Sequence, residues 1–303
     1  MVTVAELIRD LKLEIIVEGK NDSLIAVSET NRPGLQIAGF YNYFAKERVQ
    51  VLGLAEWSFL DAMQPELRKK RVGKFFKYDF PCLVISRGIN PHEQLIEAAK
   101  ATESWILRTD MVTTRFINKA MYYLDEKLAP EVRLHGVLVD VYGIGMLITG
   151  DSGIGKSETA LELIKRGHRL VADDAVDIKE VDGVLTGVSP FITNGMLEVR
   201  GMGIIDVPAL YGISSTLSSK TIDMAIYLEN WKGEGDYDRL GSDNEKMNIV
   251  GVDVKKITLP IRPGRNLAVI IEAAAVNYRY SLTSDVSPIE KLNMRIESYN
   301  ANK

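Results

Sequence analysis

The glycine-rich octapeptide Gly150–Ser157 is the part of this 303-residue sequence whose residue types and spacing most directly indicate chemistry. Its letters, GDSGIGKS, fit the pattern G-x-x-x-x-G-K-[ST] at every defined position. Glycines in this pattern let successive backbone N–H groups converge on phosphate oxygens, and the N-terminus of the following helix adds positive potential. Lys156 would bring a mobile positive charge to the β- and γ-phosphates, and the Ser157 hydroxyl could bind Mg²⁺. The sequence therefore predicts a nucleotide phosphate site formed by Gly150, Asp151, Ser152, Gly153, Ile154, Gly155, Lys156 and Ser157.

Two aspartates, Asp173 and Asp174, follow the apolar segment Arg169–Ala172, which is typical of a buried strand. A carboxylate at the end of such a strand can face phosphates or a metal ion. In a phosphotransferase it can instead accept the proton of an attacking hydroxyl. Because neighbouring side chains on a strand point to opposite faces, we expect these two aspartates to have different roles. Taken without other context, both could also be turn or capping residues.

Other residues that could take part in chemistry are weaker indications when taken singly. His135 precedes Gly136, and a lone histidine is more often a packing or surface residue than a catalytic one. A stiff turn after residue 259 carries two arginines and is suited to binding an anion. The segment 197–206 places the carboxylate of Glu198 and the cation of Arg200 beside glycines, and the loop 237–241 contains Arg239. The turn is Pro260, Ile261, Arg262, Pro263, Gly264 and Arg265, the segment is Leu197, Glu198, Val199, Arg200, Gly201, Met202, Gly203, Ile204, Ile205 and Asp206, and the loop is Tyr237-Asp238-Arg239-Leu240-Gly241.

The elements around the octapeptide have the order that a phosphate loop requires. Leu134–Val141 and Met146–Thr149 are apolar and flank a glycine-containing turn, which predicts a β-hairpin whose second strand leads into Gly150. Glu158–Arg166 predicts a helix that ends at Gly167, a residue common at that position. The octapeptide is thus expected between a strand and a helix.

The first 129 residues have a different pattern from the rest of the chain. Short apolar segments alternate with longer helix-forming ones, which favours a small α/β domain with parallel strands. A helix then ends before Pro130, where we place the boundary between a regulatory or docking domain (1–129) and a catalytic domain (130–303). The predicted strands are Val49–Leu54, Pro81–Ser86, Ser104–Arg108, Arg169–Ala172, Ile204–Val207 and Lys256–Leu259, and the other predicted helices are Ala55–Lys77, Pro91–Thr102 with Asn90 as its cap, Val112–Leu128 and one that begins with the capping box Ser287-Pro288-Ile289-Glu290.

Composition restricts the class of protein. The 41 acidic and 37 basic side chains give a formal charge of −4, and the pI of about 5.6 argues against a general nucleic-acid binder. The longest apolar stretches are interrupted by Asp140 and Glu272, which argues against a membrane span. The single cysteine, Cys82, excludes an intramolecular disulfide. We therefore expect a soluble cytoplasmic protein that binds neither nucleic acid nor membrane.

Taken together, these stretches closely resemble the bacterial HPr kinase/phosphorylase family, whose members act on a serine of the phosphocarrier protein HPr. The resemblance is close from about Leu134 to the Arg265 region and looser in the N-terminal half. After Asp174 the chain departs slightly from the family pattern, at Ala175-Val176-Asp177, which puts no role in doubt. The matching stretches are residues 134–143, 150–160, 166–174, 197–205, 237–241 and 260–265, with Asn31-Arg32-Pro33-Gly34 and Ile96-Glu97-Ala98-Ala99-Lys100 in the N-terminal half.

The resemblance implies a role for each of these residues. Lys156 and the octapeptide backbone would hold the phosphates of ATP, with Ser157 and Glu198 associated with Mg²⁺. Asp174 would take the proton from the serine hydroxyl and return one in the reverse direction, and His135 and Arg239 would complete the catalytic set. The turn at residues 260–265 would serve mainly the dephosphorylating reaction, in which inorganic phosphate attacks phosphoserine-HPr and pyrophosphate leaves.

The resemblance also implies a homohexamer that regulates carbon catabolite repression. Its catalytic domain would resemble the nucleotide-binding core of phosphoenolpyruvate carboxykinase, which agrees with the predicted hairpin beside the octapeptide. Two alternatives remain open, a P-loop kinase for a small metabolite and a nucleotide-sensing module without turnover. The joint presence of Lys156, Ser157, Asp174, Glu198 and Arg239 argues against the second. Neither H-R-D nor D-F-G occurs, so the chain is not a eukaryotic-type protein kinase.

Overall fold

The structure is a computed structural model that describes residues 1–231, 245–262, 264–284, 286 and 288–301. The chain divides into two compact units, Met1–Ala129 and Pro130–Lys303, and each is of the α/β class. No helix in the described part of the chain is long and apolar enough to cross a lipid bilayer.

The first unit contains a five-stranded sheet with helices on both faces. The sheet order is β2-β7-β6-β5-β4, and β4 to β7 run parallel, as the alternating pattern predicts. One apolar core lies among α1, α6 and the sheet, and another lies between the sheet and α3 to α5. The elements are β1 (Val2–Thr3), α1 (Val4–Leu11), β2 (Glu14–Val17), β3 (Leu24–Ile25), β4 (Thr30–Asn31), α2 (Gly34–Ala38), β5 (Val49–Leu52), α3 (Leu54–Asp61), α4 (Pro65–Phe75), β6 (Leu83–Ile85), α5 (Glu93–Thr102), β7 (Ile106–Arg108) and α6 (Thr113–Leu128).

Two helix predictions in this unit are wrong in detail. The predicted helix Ala55–Lys77 is two helices, because Pro65 starts α4 and the Arg68 guanidinium donates hydrogen bonds to the carbonyl oxygens at the end of α3. The helix predicted from Pro91 begins at Glu93, and its cap is His92 rather than Asn90. The Asn90 carbonyl instead accepts a hydrogen bond from the Trp57 indole.

The second unit is built on a six-stranded sheet with the order β11-β9-β10-β17-β19-β18. α7 and α9 cover one face, and a four-stranded sheet, β16-β13-β12-β8, packs against the other face. The elements are β8 (Glu131–His135), β9 (Val137–Val141), β10 (Ile144–Gly150), α7 (Lys156–Lys165), β11 (Arg169–Ala172), β12 (Ala175–Val181), β13 (Val184–Val188), β14 (Met196–Val199), β15 (Gly203–Asp206), α8 (Val207–Tyr211), β16 (Ser219–Thr221), β17 (Met224–Asn230), β18 (Lys246–Ile249), β19 (Val252–Ile261), α9 (Leu267–Ser281) and α10 (Pro288–Ala301), with 3₁₀ turns at Phe191–Thr193 and Ile213–Ser215.

The predicted hairpin beside the octapeptide is confirmed, but its first strand is shorter than expected. β9 and β10 pair antiparallel across the turn at Tyr142 and Gly143. The predicted strand Leu134–Val141 is wrong as a single strand, because β8 pairs with β12 in the four-stranded sheet and β9 belongs to the six-stranded one. The chain passes from one sheet to the other at Gly136, where a Cβ atom would lie 2.7 Å from the carbonyl oxygen of Ile148.

Candidate active site

The octapeptide forms a loop between β10 and α7, in the strand–loop–helix order that its pattern predicts. β10 ends at Gly150 and α7 begins at Lys156, so the loop lies at the carboxyl end of a central strand. Gly150 has φ of +138° and Gly155 has φ of +100°, values that only glycine adopts easily. A Cβ atom at Gly150 would also overlap the carbonyl oxygen of Leu228 on β17. These positions require glycine for the loop to keep its shape.

Lys156 reaches back across this loop from the first position of α7. Its Nζ donates to the carbonyl oxygens of Gly150 and Asp151, each at 3.0 Å, and the residue is only 6% exposed. Burial lowers the pKa of this ammonium group, and the charges of Asp174, Asp173 and Asp151 oppose that shift. The lysine thus presents its charge at the mouth of the loop.

Asp173 joins the loop to a neighbouring hairpin. Its Oδ1 accepts a hydrogen bond from the Ser157 hydroxyl at 2.9 Å, and its Oδ2 accepts one from the Glu198 N–H at 2.9 Å. The residue is 3% exposed, and burial raises the pKa of its carboxyl group while these two hydrogen bonds act in the opposite direction. Asp173 therefore fixes Ser157 and Glu198 relative to each other.

Asp174 points the other way, as the sequence predicts, although the cause is a turn rather than strand alternation. Both aspartates lie between β11 and β12, and Asp174 has a left-handed φ of +66°. Its side chain is 66% exposed, and its Oδ1 lies 3.1 Å from His135 Nδ1. The same ring nitrogen lies 2.8 Å from the Asp174 carbonyl oxygen. Because β8 pairs with β12 so that His135 faces Ala175, the sheet register brings the two side chains together.

The hairpin of β14 and β15 completes the cleft. It carries Glu198 opposite Ile204 and places Arg200 at its turn. The Arg200 guanidinium packs so closely over Gly153 that a Cβ atom there would overlap it. The cleft is lined by His135, Ser152, Gly153, Gly155, Lys156, Ser157, Glu158, Asp173, Asp174, Glu198 and Arg200. Most members of the predicted catalytic and metal sets thus meet in one place.

The predicted turn at residues 260–265 is wrong over its first two residues, because Pro260 and Ile261 are the last residues of β19, two strands away from β10. Arg262, Gly264 and Arg265 follow the carboxyl end of that strand. Ile261, Gly264 and Arg265 line a cavity of about 500 Å³ together with Gly155 and one face of α7. Arg262 lies against the indole ring of Trp231, which follows β17. This arrangement brings residues of the predicted anion-binding turn to α7 and to Gly155 at the end of the octapeptide.

Some predicted site residues lie outside the described part of the chain, and one residue that contributes to the site was not assigned from the sequence. Arg239, its loop at residues 237–241, Pro263 and the capping residue Ser287 lie outside the described residues. The role of Asp173 as a link was not predicted, because its partner Glu198 is 25 residues away in the chain. The only available signal was the pair of adjacent aspartates after a strand.

Comparison with known protein families gives a match over nearly the whole chain. A family model described as the HPr Serine kinase N terminus matches residues 2–124. A second, described as the HPr Serine kinase C-terminal domain, matches residues 126–296.

Curated relatives agree with these family models. A protein named HPr kinase/phosphorylase from Clostridium novyi is 66% identical over 98% of this chain and 97% of its own length. One of the same name from Clostridium acetobutylicum is 64% identical over 98% of this chain and 97% of its own. Among solved structures, the Hpr(Ser) kinase/phosphatase from Coxiella burnetii is 35% identical, with a TM-score of 0.46, over 56% of this chain and 96% of its own.

Proposed function

Because this chain belongs to the HPr serine kinase family, we propose that it transfers a phosphoryl group from ATP to a serine of HPr and also catalyses phosphorolysis of phosphoserine-HPr. Through these reactions it regulates carbon catabolite repression. The observation that carries the proposal is the cleft in which Lys156, Ser157 and the pair formed by Asp174 and His135 lie together. A phosphate-holding group and a proton acceptor are the two requirements of phosphoryl transfer to a hydroxyl.

Binding of the nucleotide is the task of the octapeptide, which acts as a P-loop of the Walker A type. Its backbone N–H groups and the N-terminus of α7 face the phosphate oxygens, and Lys156 adds a full positive charge. Arg200, which packs over Gly153, has no hydrogen-bonding or ion-pair partner within the described residues and adds a second cation at the loop. The core resembles that of phosphoenolpyruvate carboxykinase, and the antiparallel strand β9 beside β10 supports this relationship.

The residues at the serine end of the loop fit Mg²⁺. Magnesium prefers oxygen ligands and is usually held by one or two carboxylates together with substrate phosphates. Ser157 and Glu198 would hold it, and Asp173 binds the hydroxyl of the first and the backbone N–H of the second, which keeps both residues beside the phosphate loop. When bound, the ion would neutralise negative charge on the transferred phosphoryl group.

Proton transfer is the task of Asp174. In the kinase direction its carboxylate takes the proton of the serine hydroxyl as the serine oxygen bonds to the γ-phosphorus and ADP leaves. His135, 3.1 Å away, holds the carboxylate in place, and Arg239 completes the set. An exposed carboxylate beside a histidine has its proton-accepting oxygens within reach of an entering protein substrate.

Phosphorolysis uses the same cleft in the opposite direction. An oxygen of inorganic phosphate attacks the phosphoserine phosphorus, the bond to the serine oxygen breaks, and that oxygen receives a proton from Asp174 while pyrophosphate leaves. The turn at residues 260–265 holds the attacking phosphate, since its arginines are suited to an anion. The cavity that Ile261, Gly264 and Arg265 share with α7 supports the assignment for Arg265.

The direct test is to incubate the protein with Mg²⁺-ATP and HPr, and then to add inorganic phosphate. We expect phosphoserine-HPr to form in the first step and pyrophosphate to appear as phosphoserine disappears in the second. ATP consumption that depends on a small metabolite and leaves HPr unmodified would favour the alternative metabolite kinase.

The arginines of the turn provide a prediction that separates the two reactions. Replacing Arg262 or Arg265 with alanine should impair phosphorolysis more than phosphorylation, because only the attacking phosphate needs a second anion site. Initial rates of pyrophosphate release and of HPr phosphorylation would be compared for each variant. Arg9→Ala is a control, because this exposed arginine pairs with Asp10 in the first unit. Equal loss of both activities would make the turn a structural element only.

Self-association is a further part of the proposal, and we expect a cytoplasmic homohexamer. Several large apolar side chains between residues 191 and 213 are exposed in the single chain, and exposed side chains of this kind are covered when subunits associate. The cytoplasmic location fits the single cysteine and the use of ATP. Light scattering should give a mass of about 200 kDa, six times the 33.8 kDa of one chain, and a mass of one chain would contradict the hexamer. The apolar residues are Phe191, Ile192, Met202, Ile204, Leu210 and Ile213.

A further inference from the structure

Trp231 lies between the phosphate loop and the arginine turn. β17 is parallel to both β10 and β19, and its residues pair with Gly150 on one side and Ile261 on the other. Asn230 pairs with Ile261, so the next residues, Trp231 and Arg262, leave the sheet side by side. This edge is where ligands bind in open α/β sheets. Trp231 therefore lies where it can affect the binding of a phosphate by the neighbouring Arg262.

The Arg262 guanidinium lies over the ring of Trp231. The guanidinium carbon of Arg262 lies 2.9 Å from the centre of the Trp231 indole. Stacking of this kind uses the face of the guanidinium, whereas its N–H groups donate hydrogen bonds in the plane. A guanidinium held over a ring in this way can still donate hydrogen bonds to an anion that lies in its own plane. Holding the side chain in this way also reduces the rotamer freedom that anion binding would otherwise remove.

We propose that Trp231 is a positioning residue that fixes the Arg262 guanidinium for inorganic phosphate in the phosphorolysis reaction. The inference rests on the proposed function and extends it by naming the residue that sets the affinity for the second anion. Trp231 touches neither the serine nor the phosphoryl group in this scheme and acts only through Arg262. Loss of the indole should therefore affect the phosphate KM and leave the kinase reaction largely unchanged.

The other tryptophans have different partners, which makes this pairing particular to Trp231. Trp57 donates its indole N–H to the Asn90 carbonyl and stacks on His92, and Trp105 donates to the Lys20 carbonyl. Both belong to the first unit and serve its packing.

The test compares Trp231→Leu and Trp231→Phe with Arg262→Ala and with the double variant Trp231→Leu/Arg262→Ala. With saturating phosphoserine-HPr, Trp231→Leu should raise the KM for inorganic phosphate by about 2- to 30-fold, the range that a cation–aromatic contact supports. Trp231→Phe should lie between it and the wild type. HPr phosphorylation should stay within about twofold, since Trp231 does not line the cleft that contains Lys156 and Asp174.

The double variant gives the decisive comparison. If Trp231 acts through Arg262, the double variant should have the same phosphate KM as Arg262→Ala alone. Tyr227→Leu is the matched control. Tyr227 lies on β17, the strand that leads to Trp231, and its replacement removes a contact with Lys256 of β19 without touching Arg262. It should leave the phosphate KM unchanged.

Several outcomes would overturn the inference, and they differ from a failure of the proposed function. An unchanged KM in Trp231→Leu, an additive loss in the double variant, or an unaffected Arg262→Ala would each reject it. Equal loss of the kinase and phosphorolysis rates in both Trp231 variants would assign the indole a structural role and reject it as well. If the wild-type protein neither phosphorylates HPr nor releases pyrophosphate, it is the proposed function that fails.

Discussion

Replacing Lys156 with alanine is expected to abolish both phosphorylation and phosphorolysis. Removing one group that stabilises charge on a transferring phosphoryl group costs about 10²–10³-fold in rate, and a full positive charge in a buried loop is at the upper end of such effects. Lys156 is 6% exposed, and its ammonium group lies at the loop that both reactions share. Without it, the loop cannot offset the negative charge of either phosphate substrate.

The lysine also has a structural contact that the experiment must separate from its charge. In the free protein its Nζ donates to two carbonyl oxygens of the loop, Gly150 and Asp151. Lys156→Met keeps the length of the chain without the charge, so it should lose activity like Lys156→Ala. Thermal unfolding of both variants would show whether the loop contact contributes to stability.

A control on the same helix makes the measurement specific. Lys165 lies at the exposed end of α7, 4.0 Å from Glu162, and Lys165→Ala should leave both rates within about twofold, as exposed ion pairs contribute little. Single-turnover rates would be measured in both directions for all three variants. Retained phosphorolysis with a lost kinase reaction would show that the two reactions use different phosphate sites.

The phosphate loop could be predicted from the sequence because all of its chemistry is local. Gly150, Lys156 and Ser157 have fixed spacings within eight residues, and the backbone conformations they require follow from residue type. The parallel strands of the first unit and the β9–β10 hairpin could be predicted for the same reason. Each strand is a short apolar segment with a defined turn or helix beside it. Local pattern and local structure agree at these points.

The parts that could not be predicted depend on pairings between distant segments. Residues 134–141 divide into β8 and β9 because each half pairs with a different sheet. An apolar run in the sequence does not indicate which strands it will pair with. The link from Asp173 to Glu198 and the contact of Trp231 with Arg262 likewise join residues that are 25 and 31 positions apart. Strand register, which the sequence pattern leaves open, brings the second pair together.

Replacing Asp174 with asparagine is expected to lower both rates by about 10²–10⁴-fold, the usual contribution of general acid–base catalysis. The serine hydroxyl must lose its proton as it attacks, and phosphorolysis must return one as the serine oxygen leaves. An amide of the same size cannot exchange that proton. Asparagine also tolerates the left-handed φ of +66° at this position, so the backbone between β11 and β12 should keep its conformation. Nucleotide binding should survive, because the phosphates rest on the loop.

Asp173→Asn is the matched variant, and its environment predicts a different result. The buried Asp173 carboxylate accepts hydrogen bonds from both the Ser157 hydroxyl and the Glu198 N–H, and an amide can accept with only one of its two terminal atoms. One of these two donors would then face the amide NH₂ group, which is itself a donor. The apparent affinity for Mg²⁺ and ATP in the kinase reaction should therefore fall, while the proton acceptor remains. Rates at saturating and limiting Mg²⁺-ATP distinguish the two variants. If Asp174→Asn kept near wild-type turnover while Asp173→Asn removed it, the proton acceptor would be the buried aspartate, and the exposed pair with His135 would lose its role.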